Sequence, residues 1–291
     1  MKVSELRKLY EQGIRNFAGV DLSGADLRGV MLIEVNLTGA NLMGANFSRA
    51  FLTKSDLSGA NLNWANLNFA KLSDAKLVET DLTKANLSGA FMVKSKLPRA
   101  KLSGTNLSHA NLRGANLWGA NLCSANLHKI NFREANLSGV DLSWANLYEA
   151  RLSGAKLYGA CLNSVNLSKS FLKEVDLSGV DLEGVNLAES RLSGAILEGA
   201  NLTAANLEKA RLRGVNLRGA ELTRANLVGA SLEEANLTGA ILRKTDLRDA
   251  NLNEANLSGA NFEDAELGGT ILEPSNEPLV HQINFQTQFA I

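Results

Sequence analysis

The sequence contains few of the residues that usually carry chemistry. Among 291 residues there are two cysteines and three histidines, and aromatic residues make up 5%. Because only Cys123 and Cys161 are present, no disulfide framework is implied and a reducing compartment is expected. His109, His128 and His281 are dispersed along the chain, and none has metal-ligand spacing to Cys or acidic neighbours. We therefore predict no catalytic residues, no metal and no cofactor.

The sequence also lacks an excess of charge of either sign. Thirty Lys and Arg balance thirty Asp and Glu. This balance argues against a general nucleic-acid binder, which would show a basic footprint. It argues equally against a strongly acidic DNA mimic. Basic residues are in excess up to about residue 145 and acidic residues beyond it, so the molecule should be mildly polar from end to end.

Long apolar runs are missing as well. The opening MKVSELRKLYEQG is charged and has no apolar core of the kind found in a signal peptide, and no run approaches membrane-spanning length. The sequence predicts a soluble cytoplasmic protein that has no contact with a membrane.

What the sequence does contain is a five-residue repeat. From Phe17 to Leu272 every fifth residue is Leu, Phe or Met, without an insertion or deletion, which gives 52 repeats. Two positions before each of these lies a small residue, mostly Ala, and the residue between them is usually Asn or Asp. The last two positions are often Ser-Gly, as at Ser58 and Gly59, and Gly there supplies the positive φ that many turns need.

A period of five excludes the two regular structures. In an α-helix, successive Leu residues would be rotated by about 140° and would spread around the cylinder. In a continuous strand, an odd spacing would send them to opposite faces. The chain must therefore turn once per repeat, with the small residue and the Leu pointing inward.

The number of repeats per coil can be inferred from the positions that lack Asn or Asp. Ten of the thirteen positions at 31 and every twenty residues beyond it depart from Asn or Asp, whereas the series that starts at 26 departs only at Glu266. Twenty residues, or four repeats, should make one coil, and about thirteen coils are expected. The ten departures are Met31, Phe51, Lys71, Phe91, Arg151, Phe171, Arg191, Arg211, Ser231 and Ile271.

The ordered unit of Ala, Asn or Asp, and Leu resembles the pentapeptide repeat family over nearly the whole chain. The resemblance implies an all-β fold, the right-handed quadrilateral β-helix, with its handedness coming from the family alone. The segment LRKLYEQGIRNF is similar to the N-terminal segment of many cyanobacterial members, including a heterocyst-differentiation regulator. Family membership does not by itself fix a function, because the fold is a platform for many.

One functional branch of the family protects DNA gyrase from quinolones with dimeric, strongly acidic rods thought to mimic DNA. This sequence departs from that branch in its zero net charge. Its C-terminal third is acidic, but Arg243, Lys244 and Arg248 interrupt that surface. The acidic residues are Asp246, Asp249, Glu254, Glu263, Asp264, Glu266, Glu273 and Glu277. We rank this branch second.

Both ends of a solenoid need a cover for their exposed Leu residues and strand edges. Residues 1–14 should form a helical N-terminal cap, and 15–273 the solenoid. The segment 274–291, which begins at Pro274, is interpreted as a C-terminal capping tail, with a dimer contact or a partner-binding peptide as alternatives. The protein should be a monomer or a weak homodimer through its C-terminal end.

The series at 31 and every twenty residues, here called the 31-column, is the candidate protein-binding surface. Aromatic and Arg residues together are typical of interface hot spots. The alternative is a different local turn on one face, with no functional consequence. The candidate residues are Met31, Phe51, Lys71, Phe91, Arg151, Phe171, Arg191 and Arg211.

Two further sets have structural interpretations. Isolated surface aromatics usually need no explanation; here they are Trp64, Phe69, Trp118, Trp144, Tyr148 and Tyr158. Asn residues at twenty-residue spacing, such as Asn46 and Asn66, should satisfy backbone groups at the corners.

The sequence as a whole predicts a non-enzymatic scaffold or regulator that binds an unidentified protein and does not bind nucleic acid directly. A DNA-mimicking gyrase protector is the alternative.

Overall fold

The structure is a computed structural model that describes residues 1–273. It begins with one α-helix, α1 (Val3–Glu11), and continues as repeats in which every fifth residue from Asn16 to Ile271 forms an isolated parallel bridge. The predicted tail 274–291 lies outside the described residues.

The chain divides into two compact units. Unit 1 contains Met1–Arg151 and Ala155–Cys161, and unit 2 contains Leu152–Gly154 and the described residues from Leu162 onward. In unit 1 the bridges run from the pair Asn16 and Asn36 to the pair Asp141 and Cys161; in unit 2 they run from Asn166 and Asn186 to Asn251 and Ile271. Every bridge joins residues twenty apart, the interval that the 31-column indicates, so each unit is a parallel β-solenoid. That residues 15–273 form one solenoid remains a prediction from the sequence.

One repeat shows how the sequence produces this path. The N–H of Asn61 donates to the carbonyl of Ala40 at 2.9 Å, and the N–H of Leu62 donates to the carbonyl of Asp81 at 2.7 Å. The central residue thus bonds the coil before it, and the next residue bonds the coil after it. The N–H of Ala65 then closes a turn on the carbonyl of Leu62 at 3.0 Å.

The core of each unit consists of the Leu position and the small position. Leu62 and Ala65 are at most 1% exposed, and so are nearly all their equivalents. Each coil therefore buries four large apolar side chains, and each of these contributes about 2 kcal/mol to stability. Where Ser or Thr replaces Ala, its hydroxyl can bond a carbonyl, as Ser55 does with Leu32 at 2.7 Å.

The turns do not require glycine. The second turn residue has a positive φ at glycines such as Gly59 (65°) and equally at Trp64 (60°) and Lys84 (56°). The sequence pattern correctly assigned this conformation to glycine, but 28 other residues also adopt it. Side chains of every type can therefore occupy the corners, at a conformational cost of about 1–2 kcal/mol each.

Helix α1 contacts the first coils of unit 1. Leu6 is completely buried, and the N–H of Ile33 donates to the hydroxyl of Tyr10 at 3.3 Å. The N-terminal ammonium of Met1 donates to the carbonyl of Asp21 at 3.0 Å. These contacts fix the helix against the coils. Within residues 1–273 no helix has the length and apolar character needed to cross a membrane.

Candidate functional site

In unit 1 the 31-column brings four predicted site residues together. Met31, Phe51, Lys71 and Phe91 bridge one another in that order on successive coils. Met31 is 55% exposed, and Phe51 and Phe91 are 40% and 41% exposed. The Lys71 Nζ lies 3.2 Å from the centre of the Phe91 ring, in cation–π contact. Arg151 ends the column of this unit, separated from Phe91 by Asn111 and Asn131.

In unit 2 the same column begins with Phe171, Arg191 and Arg211 on successive coils. The guanidinium carbon of Arg191 lies 4.5 Å from the centre of the Phe171 ring, and Phe171 is half-buried beneath it. Arg191 and Arg211 are exposed. Each unit therefore contains an aromatic ring with a cation from a neighbouring coil on its face: the preceding coil in unit 1 and the next coil in unit 2.

The turn after Phe51 in the 31-column is ordinary, which bears on the alternative interpretation of this series. After Phe51, Lys54 has a φ of 59°, and the N–H of Ser55 closes the turn on Leu52 at 3.1 Å. The equivalent values after Asn61 are 60° and 3.0 Å. Phe51 thus departs from Asn or Asp without a change in the turn that follows it.

The Phe, Met, Lys and Arg residues that replace Asn or Asp in the 31-column also lose a hydrogen bond. At other columns the Asn or Asp oxygen accepts from the N–H two residues later, as Asn61 does from Asn63 at 3.1 Å. Asn amides also bond along the column, as from Asn86 Nδ2 to Asn66 Oδ1 at 3.4 Å. Phe, Met, Lys and Arg cannot supply that acceptor. Asn and Asp are structural at the other columns, as their spacing indicates.

The charge of the 31-column is of one sign. It contains Lys71, Arg151, Arg191 and Arg211, and from 31 to 271 it contains no acidic residue. The column that starts at Asp21, half a coil away, has the opposite bias, with one basic residue. Its charged members are Asp21, Asp81, Lys101, Asp141, Asp181 and Glu221.

The other aromatic residues are mostly single exposed side chains, and the most exposed is Tyr158 at 88%. Phe69 differs because its ring covers the glycine of the next coil: a Cβ on Gly89 would lie 2.5 Å from the ring. Trp64 has the Lys84 ammonium 4.7 Å above its ring. Phe69 belongs to the corner just before Lys71 in unit 1. Sequence analysis had set Phe69 aside.

Two histidines treated as dispersed are in fact neighbours, and this interpretation of the sequence was wrong. The rings of His109 and His128 lie 5.2 Å apart, edge to face, and the Tyr148 ring lies 5.5 Å from His128. A separation of nineteen residues in a coil of twenty was the signal that could have shown it. Burial, with the charge of Lys129 next, lowers the pKa of His128.

The cysteines and acidic residues of the described part of the chain do not form a metal centre with the histidines. Within residues 1–273 no three His, Cys, Asp or Glu side chains are arranged to hold a metal ion. Cys161 lies 3.2 Å from the Ser143 hydroxyl, and Cys123 lies 3.6 Å from the hydroxyl of Ser124. Both thiols are half-buried, and neither forms a disulfide.

These features define a class: a repeat protein whose parallel β-solenoid units present an exposed aromatic and basic column. The pentapeptide repeat model matches eight copies between residues 21 and 269, at 21–59, 60–97, 100–139, 125–163, 135–173, 160–199, 200–239 and 230–269. The chain belongs to the pentapeptide repeat family, as the five-residue unit predicted, and this membership implies a right-handed β-helix.

Several solved structures are similar to this chain. HetL of the cyanobacterium Nostoc sp. strain PCC 7120, a pentapeptide repeat protein involved in heterocyst differentiation regulation, is 31% identical over 94% of this chain and 97% of its own, with a TM-score of 0.28. A pentapeptide repeat protein of the Arabidopsis thaliana thylakoid lumen is 28% identical over 38% of this chain and 78% of its own, with a TM-score of 0.38.

The plasmid-mediated fluoroquinolone resistance protein QnrB1 is more distant. It is 17% identical over 94% of this chain and 98% of its own, with a TM-score of 0.33. No curated protein matches this chain significantly.

Proposed function

We propose that the protein is a non-enzymatic scaffold or regulator that binds a protein partner through the 31-column. The observation that carries this proposal is the stack of Met31, Phe51, Lys71 and Phe91 in unit 1, where exposed apolar side chains replace residues with a structural role. Exposed aromatic residues with adjacent cations are the composition of interface hot spots.

The charge of the column points to the kind of partner. Since the column contains basic residues and no acidic ones from 31 to 271, it complements a protein surface that combines apolar and acidic side chains. Direct binding to nucleic acid is not expected of a chain with zero net charge.

We further propose that the solenoid has about thirteen coils and that α1 caps its N-terminal end. We also propose that the protein is cytoplasmic and is a monomer or a weak homodimer through its C-terminal end.

A gyrase protector that mimics DNA remains the second candidate, and it would need a continuous negative face. In unit 2 the acidic residues alternate with cations that pair with them: Arg248 contacts Asp246 at 2.6 Å and Glu266 at 3.2 Å. Arg243 contacts Glu263 at 2.8 Å. This arrangement supports ranking protein binding through the 31-column above DNA mimicry.

The test is affinity capture from native lysate with the wild-type protein and a Phe51→Glu/Phe91→Glu/Phe171→Glu variant. A matched control, Ile196→Glu/Ile241→Glu, adds charge at exposed apolar positions of other columns. Circular dichroism should show all three proteins folded. We expect the Phe variant alone to lose a specific partner, with binding that weakens as salt is raised. Identical partner sets for all three proteins would rule out the 31-column as the binding surface.

A further inference from the structure

A groove at the start of unit 1 is lined by three arginines from separate parts of the chain. Arg7 comes from α1, and Arg28 and Arg49 come from turns of successive coils. The groove has a volume of about 710 Å³, and its lining also includes Asp26, Gly29, Ser48 and Asn68. This volume lies within the range of about 300–1,000 Å³ found for small-molecule sites.

The charges of the groove are only partly compensated. Arg28 holds Asp26 with both ends of its guanidinium, Nε at 2.9 Å and Nη2 at 2.7 Å from the carboxylate oxygens. This contact lowers the pKa of Asp26 and keeps that carboxylate ionised. Across residues 1–273, the side chains of Arg7 and Arg49 have no ion pair. Three guanidinium groups against one carboxylate leave two positive charges exposed to the groove.

The backbone holds one of the free arginines in place. Arg49 occupies the second turn position with a φ of 57°, and its N–H donates to the carbonyl of Asn68 at 2.9 Å. Arg7 follows the buried Leu6 on α1. Fixed attachment points lower the entropic cost of bringing both guanidinium groups onto one ligand.

We propose that this groove binds the phosphate dianion, either free or as the phosphate group of a small ester. Guanidinium groups match the oxygens of phosphate with two parallel hydrogen bonds. A phosphate monoester carries a charge of about −1.5 to −2 at pH 7, close to the uncompensated charge of the groove, whereas a monocarboxylate would neutralise only half of it. Ser48 and Asn68 line the remaining volume and can hydrogen-bond hydroxyl groups of an ester.

The test is isothermal titration calorimetry at low salt on the full chain, with inorganic phosphate, glycerol 3-phosphate and acetate as probes. We expect both phosphates to bind and acetate to bind at least about tenfold more weakly, since a monocarboxylate leaves one of the two free guanidinium groups without a charge-assisted hydrogen bond. Tighter binding of glycerol 3-phosphate would identify an ester site, and equal binding would identify a site for phosphate itself.

The variant Arg7→Gln/Arg49→Gln removes the two free guanidinium groups and leaves the pair of Arg28 and Asp26. It should weaken phosphate binding at least about tenfold. The control Arg113→Gln removes an exposed arginine that pairs with Glu134 at 2.8 Å, and it should bind as the wild type does. Because all three arginines are exposed, the variants should fold, as circular dichroism can verify. Unchanged phosphate affinity in the double variant, or acetate binding as tight as phosphate binding, would overturn the proposal.

Discussion

Unit 1 exposes eleven large apolar side chains in the described part of the chain, seven of them aromatic, whereas unit 2 exposes three isoleucines. Unit 1 carries nineteen Lys and Arg against twelve Asp and Glu, and unit 2 carries eleven against eighteen. Their interiors do not differ in this way: Leu and Ala fill both, with the same bridges at twenty residues. The interior repeat thus specifies the fold, and the outward positions are free to diverge.

The largest expected effect tests whether the two interiors are equivalent. Leu97 in unit 1 and Leu217 in unit 2 occupy the same position of the coil, and both are at most 1% exposed. Leu97→Ala and Leu217→Ala should each lower the free energy of unfolding by about 2–5 kcal/mol, because each leaves a cavity. Urea unfolding followed by circular dichroism measures both. If the two losses of unfolding free energy differ by more than about 2 kcal/mol, the two interiors are not equivalent.

A smaller effect should separate two buried serines, one in each unit, by the hydrogen bonds of their hydroxyls. Ser55 in unit 1 donates to the carbonyl of Leu32 at 2.7 Å, whereas the hydroxyl of Ser170 in unit 2 is buried without a partner. Ser55→Ala should destabilise the protein by about 1 kcal/mol, and Ser170→Ala should stabilise it by about 1 kcal/mol. Midpoints of thermal unfolding would reveal the opposite signs. A loss of stability in Ser170→Ala would show that its hydroxyl is bonded in solution.

The smallest net effect, that of a double variant, concerns the corners. Gly184 and Ala204 lie on the same edge of unit 2, one coil apart, with φ values of 63° and 54°. A Cβ on Gly184 would have no atom within 4 Å, so only backbone strain opposes it. Gly184→Ala should cost about 1 kcal/mol, and Ala204→Gly should recover a similar amount. The double variant should unfold at the wild-type denaturant concentration. Two changes of the same sign would refute this account of the corners.

The sequence predicted the fold well because each repeat bonds only the coils before and after it. A regular spacing of Leu and small residues therefore determines both the turn in every repeat and the pairing at twenty residues. It predicted the placement of the 31-column for the same reason. It missed the contact of His109 with His128 because that contact links different turn positions of successive coils.

The arginine groove could not be predicted in the same way. It depends on where α1 lies against the first coils, and that position follows from the burial of Leu6 and the bond between Tyr10 and Ile33. No periodic pattern encodes these contacts. The positive φ of residues such as Trp64 was missed because local preference disfavours it, and the hydrogen bonds between coils outweigh that preference.

The pairing of residues twenty apart also determines how such a unit would yield under tension. Pulled from one end, a coil can detach while the coils behind it stay folded, because its bridges join only its neighbours. Each released coil would add about 66–72 Å of extended chain, and a force spectrum would show a series of similar short steps. The unit would then unfold sequentially under force, one coil at a time.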